Sequence, residues 1–438
     1  MIPYSRFQNV LERFQPFEYS GKVDQVIGLT IEVKSMKSFV GEICNIILPS
    51  QHSISAEVIG FRGDSVILMP LGELDGIMTG CPVIPTGKAM TINVGESMLG
   101  MVLDGLGKPM LLNQNLNHCH TEIPLYRSPP NPLQRKAISQ IMHTGIKAID
   151  AFLTCGHGQR LGVFAGSGVG KSTLLGMISR YSDADINVIA LIGERGREVK
   201  AFLEKDLGEE GLKKSVIICA TSEQPPLVRL KGAFLATAIA EYFRDQGKHV
   251  LLMMDSVTRF AMAQREVALA AGEAPATKGY TPSVFALLPK LLERSGTSNR
   301  GSITAFYTVL VEGDDMNEPI TDAVRGILDG HIVLSRELAA KNHYPAIDVT
   351  QSISRLMNDL VSHDQKEQIS KLRHMMGIYK EAEDLIQIGA YKPGSSQAVD
   401  RAIETKPKLD QFLKQRIDEF SHCQSTWEKI DQLLQNFD

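Results

Sequence analysis

One short glycine-rich stretch of the chain combines residue types that bind phosphate groups. Residues 165–172 read Ala-Gly-Ser-Gly-Val-Gly-Lys-Ser, after an apolar run and before a helical pattern over 173–180. Glycines let backbone amides turn inward around phosphates, and the start of a helix favours negative charge. The lysine adds a mobile positive charge, and the serine hydroxyl suits Mg²⁺. The residues predicted to bind a nucleoside triphosphate are Gly166, Ser167, Gly168, Val169, Gly170, Lys171, Ser172 and Thr173.

The loop departs at one position from the strict phosphate-loop pattern, which has glycine where Ala165 stands. Alanine is small and Gly166 follows it directly, so we expect the loop to close. A chance glycine-rich turn is the alternative. The order of strand, loop and helix favours the nucleotide site.

Two acidic residues follow other apolar runs and extend the predicted chemistry. Asp255 ends the run 249–255, and Glu194 follows the run 187–192. A strand-end aspartate fixes Mg²⁺ directly or through water, so we predict Ser172 and Asp255 as the metal residues. A glutamate beside the loop orients the attacking water, which makes Glu194 the candidate base. The alternatives are a helix-capping role for Asp255 and a surface ion-pair cluster around Glu194.

Three further residues suit a nucleotide site. Arg195 either contacts the terminal phosphate or pairs with Glu198. Tyr344, directly before a proline, offers a flat surface for a purine base. Arg355, expected just beyond the Ser-rich start of a helix, lies far in sequence from its own phosphate loop and suits a neighbour's nucleotide. Spacing alone favours an ordinary solvated helix arginine at that position.

The elements that must position these residues predict a multidomain α/β chain of 438 residues. Residues 21–92 contain short β-rich runs at 23–33, 40–48, 54–61 and 65–69, which indicate a small β-barrel. Residues 93–364 alternate apolar strands with helices, which indicates a parallel sheet covered on both faces. The predicted strands of that sheet are 161–165, 188–192, 216–220, 250–254, 303–310 and 332–334.

Both ends of the chain read as helical. Within residues 365–438, one amphipathic pattern starts at Ile369, and another is formed by Leu409, Phe412, Leu413, Ile417 and Phe420. Within residues 1–20, one apolar stripe is formed by Phe7, Val10, Leu11 and Phe14. The stripe fits either a helix packed on its own domain or a segment that docks a partner.

Composition excludes several function classes. The formal net charge is −4, and residues 1–92 carry seven Lys and Arg against nine Asp and Glu, which argues against general nucleic-acid binding. No apolar run approaches the 18 or so residues of a membrane span, and the start lacks the pattern of a signal peptide. Six scattered cysteines fit a reducing cytosol.

Five ordered motifs together resemble the type III secretion ATPases, relatives of the catalytic subunits of rotary ATP synthases. Besides the phosphate loop, they are Gly-Glu-Arg-Gly-Arg-Glu-Val at 193–199, Asp-Ser-Val-Thr-Arg-Phe-Ala at 255–261, Val-Glu-Gly-Asp-Asp-Met-Asn-Glu-Pro at 311–319 and His-Tyr-Pro-Ala-Ile-Asp at 343–348. The resemblance runs from about 135 to 355 and more loosely over the whole chain. The stretch 314–319, with Asn317 where injectisome members tend to carry Thr, is more similar to the flagellar branch.

This resemblance implies an N-terminal barrel, a RecA-like ATPase domain and a C-terminal helical domain. It implies ATP and Mg²⁺ as ligands, with Lys171, Glu194, Arg195 and Asp255 as catalytic residues and Tyr344 beside the adenine. It assigns Arg355 as an arginine finger given to the adjacent subunit of a homohexameric ring. It also implies a cytoplasmic position at the inner face of the cytoplasmic membrane, at the export gate, where ATP hydrolysis helps to release or unfold export substrates and chaperones. A regulator bound by the N-terminal segment is the further partner that it implies.

Three alternatives share this core. An injectisome ATPase differs only in its secretion system. A rotary synthase subunit uses the same chemistry but needs a second type of chain. A ring helicase on RNA would need a basic, aromatic face, which the acidic barrel region does not show.

Overall fold

The computed structural model describes residues 20–311, 313 and 315–435, and the predicted docking stripe of residues 7–14 lies outside them. Six antiparallel strands close into a barrel in the order β1-β2-β5-β4-β3-β6. They are β1 (Gly21–Ile27), β2 (Thr30–Lys34), β3 (Glu42–Ile47), β4 (Ser53–Arg62), β5 (Ser65–Pro70) and β6 (Pro82–Ala89).

The barrel differs from its prediction in two places. The run predicted over 23–33 is two strands, because the chain reverses at Gly28 with a φ of 56° that suits glycine. The closing strand β6 was not predicted, since its two prolines and one glycine resemble a loop in the sequence. Its hydrogen-bond partners on β1 and β3 hold it as a strand nonetheless.

The central region is built on a nine-stranded sheet. The order is β19-β18-β12-β17-β15-β13-β14-β8, with β16 paired to β17; β19 and β16 are antiparallel to their neighbours and the other strands are parallel. Its strands are β8 (Val102–Asp104), β12 (Arg160–Ala165), β13 (Ile186–Ile192), β14 (Ser215–Ala220), β15 (His249–Asp255), β16 (Gly296–Thr297), β17 (Ser302–Leu310), β18 (Gly330–Leu334) and β19 (Ile347–Ser354). Two small ladders add β7 (Thr91–Val94), β9 (Thr121–Pro124), β10 (Ile141–Met142) and β11 (Cys155–Gly156).

Burial on both faces explains why the six predicted strands of this sheet are confirmed. Val188 and Ile189 are neighbours on β13, yet they pack into two different hydrophobic cores on opposite faces. Apolar side chains are therefore needed at every position, which gives the continuous runs seen in the sequence.

Helices cover the sheet and form the C-terminal region. They are α1 (Lys147–Phe152), α2 (Lys171–Tyr181), α3 (Gly196–Ala201), α4 (Gly208–Lys213), α5 (Pro226–Asp245), α6 (Val257–Ala271), α7 (Pro282–Leu292), α8 (Pro319–Ile327), α9 (Arg336–Ala340), α10 (Met357–Leu360), α11 (His363–Gln387), α12 (Gln397–Leu413) and α13 (Cys423–Gln435). No helix in the described part of the chain is both long and apolar enough to cross a membrane.

Two predictions about helices are wrong. The segment before Arg355 is strand β19 rather than a helix start, because it pairs with β18 and its burial tends to alternate between the two faces. The pattern through Phe420 does not continue one helix: α12 ends at Leu413, and Lys414 adopts an extended conformation with a ψ of 136°. The chain then folds back against the phosphate-loop region.

A buried ion pair joins the barrel to the central region. Lys231 on α5 contacts Glu57 on β4, and neither side chain is more than 8% exposed. The Lys231 ammonium also donates to the Tyr126 hydroxyl at 2.8 Å. Removing one partner of an ion pair this buried is strongly destabilising, because the other charge is left buried and unpaired. The pair therefore fixes the barrel against α5.

Candidate active site

The phosphate loop connects β12 to α2 and is shaped by two glycines. Gly168 and Gly170 have φ values of 79° and 89°, and Gly170 directly precedes the first turn of α2. A Cβ on Gly168 would meet nothing within 4 Å, whereas one on Gly170 would lie 3.4 Å from the Tyr344 ring. Ala165 is the buried last residue of β12, so the position lies in the strand and alanine is accommodated there.

Three charged side chains meet beside this loop. The Lys171 ammonium contacts the carboxylate of Asp255 and lies 3.4 Å from Glu194 Oε1. Asp255 also accepts a 2.7 Å hydrogen bond from the Thr308 hydroxyl. All three charged residues lie at the carboxyl ends of the parallel strands β12, β13 and β15, the edge where open α/β sheets bind ligands.

The electrostatics of this cluster suit proton and phosphate chemistry. Burial, and then repulsion from Asp255, raises the pKa of Glu194 to about 7, although Lys171 acts in the opposite direction. Burial alone would lower the pKa of the Lys171 ammonium, but attraction to Asp255 and Glu194 outweighs it and raises that pKa. Lys171 is therefore a charged group available to bind phosphate, and Glu194 is poised to exchange a proton near neutral pH.

A cavity of about 710 Å³ opens next to the loop. Its lining includes Gly168, Gly170, Thr173, Tyr344 and the segment 414–419 that follows α12. Tyr344 is 41% exposed and Ile417 is 53% exposed, so both present apolar surface that a flat base would cover. The structure thus brings Tyr344 and Thr173 together with the phosphate loop around this cavity.

The residues present fit Mg²⁺ bound together with a triphosphate. Ser172 is exposed in the first turn of α2, and the Asp255 carboxylate lies beside Lys171 at the same edge of the sheet. Among residues 20–311, 313 and 315–435, no group of three His, Cys, Asp or Glu side chains suits a metal ion. Mg²⁺ characteristically uses one or two protein oxygens and completes its shell with phosphate and water.

Two arginines close to Glu194, Arg195 next to it in the chain and Arg259 beside Gly193, are placed differently. The side chain of Arg195, a predicted phosphate contact, is 68% exposed, and its Nη1 lies 3.6 Å from Oε1 of Glu198. Arg195 thus makes the ion pair with Glu198 that was the alternative to a phosphate contact. Arg259, which the sequence did not single out, packs on Gly193: a Cβ on that glycine would lie 2.8 Å from the Cβ of Arg259. The Arg259 Nε is buried and makes no hydrogen bond within the described part of the chain. The sequence feature that could have identified Arg259 is its place in the motif 255–261.

Arg355 lies at the opposite edge of the sheet. Its backbone N–H donates to Asp329 at 3.0 Å, beside the start of β12, and its exposed guanidinium donates to the carbonyl of Arg325 at 3.3 Å. The phosphate loop lies at the other end of β12, six residues away or on the order of 20 Å along the strand. Arg355 is therefore not brought together with its own phosphate loop.

Three family descriptions match successive parts of the chain. Residues 23–87 match the beta-barrel domain of the ATP synthase alpha/beta family, and residues 145–354 match its nucleotide-binding domain. Residues 361–432 match the T3SS EscN ATPase C-terminal domain.

Relatives in several bacteria are similar over nearly their whole length. The chain is 55% identical to the flagellum-specific ATP synthase of Bacillus subtilis, over 93% of this chain and 94% of the relative. It is 52% identical to the flagellum-specific ATP synthase of Treponema pallidum, over 98% and 96%. It is 49% identical to the type 3 secretion system ATPase of Xanthomonas euvesicatoria, over 94% and 93%.

Solved structures give the same result. The assembled ATPase EscN from the type III secretion system of enteropathogenic E. coli superposes with a TM-score of 0.90 at 48% identity, over 94% of this chain and 100% of that one. EscN in complex with its central stalk EscO superposes with a TM-score of 0.87 at 47% identity, with the same coverage.

Proposed function

Because the chain belongs to the ATP synthase alpha/beta family, we propose that it is a Mg²⁺-dependent ATPase of the flagellar type III protein export apparatus. The observation that carries the proposal is the convergence of Lys171, Glu194 and Asp255 beside the phosphate loop and the 710 Å³ cavity. Flagellum-specific relatives at 55% and 52% identity favour the flagellar system.

The residues of the site divide the work of phosphoryl transfer. Lys171 and the loop amides hold the outer phosphates, Ser172 and Asp255 hold Mg²⁺, and the Tyr344 ring supports the base. Bound Mg²⁺ supplies neutralisation of the phosphate charge. Glu194 accepts a hydrogen bond from the attacking water and orients it, while Arg259 and Arg195 supply positive charge near the terminal phosphate.

A second copy of the chain completes each site. Since Arg355 lies at the far edge of the sheet, it reaches the nucleotide of a neighbour and not its own. Head-to-tail contacts of this kind close into a ring when the rotation fits, and six copies are the proposed number. One chain type carries glutamate, phosphate loop and finger, so no non-catalytic subunit is needed.

The proposed partners follow from the relatives. Since EscN is solved with a central stalk, a stalk-like partner is proposed for this ring. Export substrates, their chaperones and the membrane export gate are the further proposed partners, which places the ring in the cytoplasm at the membrane's inner face. A regulator is proposed to bind the stripe formed by Phe7, Val10, Leu11 and Phe14.

Turnover by the purified chain tests the enzymatic part of the proposal. Lys171→Ala and Glu194→Gln should each lower kcat by roughly two or more powers of ten, because each removes a group that positions charge in the transition state. Lys200→Ala, which alters an exposed lysine paired with Glu204, should leave turnover unchanged. Wild-type turnover in either site variant contradicts the assignment.

Genetic replacement tests the cellular role and separates the alternatives. The gene should restore motility to a strain lacking its flagellar export ATPase, with the Glu194→Gln gene as the inactive control. Restoration of injectisome secretion without motility favours the second candidate, for which the 49% identity to a type 3 secretion ATPase is the supporting observation. ATP turnover by a ring of this chain alone argues against a synthase subunit, and strong stimulation by single-stranded RNA argues for a helicase.

A further inference from the structure

Gln415 belongs to the segment 414–419, which lines the cavity together with Tyr344. It lies two residues after the end of α12 and is 5% exposed. Its backbone N–H donates to the Tyr344 carbonyl at 2.9 Å. One direct backbone bond therefore links the residue proposed to support the base with the segment 414–419 of the same cavity.

The side-chain amide of Gln415 uses both of its ends. Its Oε1 accepts from the backbone N–H of Lys147 at 2.9 Å. Its Nε2 donates to the carbonyls of Gly145 and Glu419, each at 2.7 Å. Only a neutral amide supplies a donor and an acceptor in this arrangement; a carboxylate would face two carbonyl oxygens.

Hydrogen bonds from Lys147 and from two residues of α2 hold the rest of the segment 414–419. Lys147 Nζ donates to the Lys414 carbonyl at 2.7 Å and to Glu419 Oε1 at 3.0 Å. Arg180 and Tyr181 of α2 each donate to the Ile417 carbonyl at 2.8 Å. Gln415 differs from Lys147, Arg180 and Tyr181 in that its own backbone N–H donates to the Tyr344 carbonyl.

We propose that Gln415 is a positioning residue of the base pocket. It fixes the spacing between Tyr344 and the segment 414–419, so that a purine enters a preformed slot. The inference rests on the proposed ATPase function. It goes beyond that function by assigning part of the nucleotide affinity to a residue that acts through Tyr344 and the segment.

Competition between ATP and a ligand without a base isolates this role. Gln415→Ala should raise KM for ATP by about tenfold, the cost of ordering one or two loosened side chains on binding. It should change kcat by less than about threefold and leave the Ki of magnesium tripolyphosphate within about twofold, because the phosphate loop is untouched. Gln411→Ala, at an exposed glutamine on α12, is the matched control and should change none of these values.

A double variant tests action through Tyr344. If Gln415 works by holding that residue, Gln415→Ala combined with Tyr344→Ala should have the same KM as Tyr344→Ala alone. Gln415→Glu, which keeps the acceptor for Lys147 but loses both donations, should raise KM in the same direction. It carries the test if the alanine variant does not fold.

Several results would overturn the inference. They are an unchanged KM for ATP in a folded variant, a Ki for tripolyphosphate that rises in parallel with KM, and multiplicative effects in the double variant. Failure of both Gln415 variants to assemble shows a purely structural role and also overturns it. Failure of the proposed function is distinct, because it appears as absent ATP turnover in the unmodified chain.

Discussion

Turnover should depend on pH around neutrality because of the environment of Glu194. Burial and the nearby charge of Asp255 raise the pKa of Glu194 to about 7. A base acts only when it is unprotonated, so a raised pKa means that activity is lost as the pH falls through 7. About one eleventh of such a group is ionised at pH 6 and about ten elevenths at pH 8, so kcat/KM should rise about tenfold between them. A glutamate with an unshifted pKa would give a flat profile over that range.

The assay is steady-state ATP hydrolysis across this pH range with Mg²⁺ in excess, so that the substrate stays in its Mg²⁺ complex. Glu198 supplies the internal control, since its hydrogen bond and charge contribute to raising the pKa of Glu194. Glu198→Gln should therefore move the midpoint of the profile toward lower pH. A flat wild-type profile, or an identical midpoint in Glu198→Gln, refutes the assignment of Glu194 as the base.

Three further variants test other parts of the structure. Arg355→Ala subunits mixed with Glu194→Gln subunits should regain some ATP turnover, because some interfaces recover both groups; no recovery in rings shown to form contradicts action between copies. Arg259→Ala should lower kcat by about two to three powers of ten if its guanidinium meets the transferring phosphate, and a wild-type kcat excludes that role. Lys231→Ala should lower the free energy of unfolding by about 3–5 kcal/mol in chemical denaturation, since it leaves Glu57 buried and unpaired; a change under about 1 kcal/mol contradicts the interdomain ion pair.

The central sheet was predictable from the sequence because each of its strands is recognisable from its own residues alone. Strands buried on both faces must be apolar throughout, so runs such as 188–192 stand out without knowledge of their neighbours. The phosphate loop is equally local, since Gly168, Gly170 and Lys171 act within one turn of the chain. The comparisons confirm the family and the fold class that these patterns indicated.

The features that the sequence did not show depend on distant partners. Strand β19 forms because it pairs with β18, which would otherwise be the edge strand of the sheet. In the sequence alone, the Ser and Thr residues of this segment resemble the start of a helix. The side chain of Gln415 is held by hydrogen bonds with Gly145 and Lys147, about 270 positions earlier in the chain, and the sequence gives no sign of these contacts. Arg259 belongs to a visible motif, but only the packing on Gly193 places it beside Glu194.

The central claim is that two copies of this chain share each nucleotide, and a structure of the assembled protein with Mg²⁺ and a non-hydrolysable ATP analogue tests it most directly. The account predicts the terminal phosphate within hydrogen-bond distance of Lys171 of one copy and of Arg355 of the adjacent copy. An analogue bound at the phosphate loop while Arg355 of every adjacent copy points into solvent would contradict it.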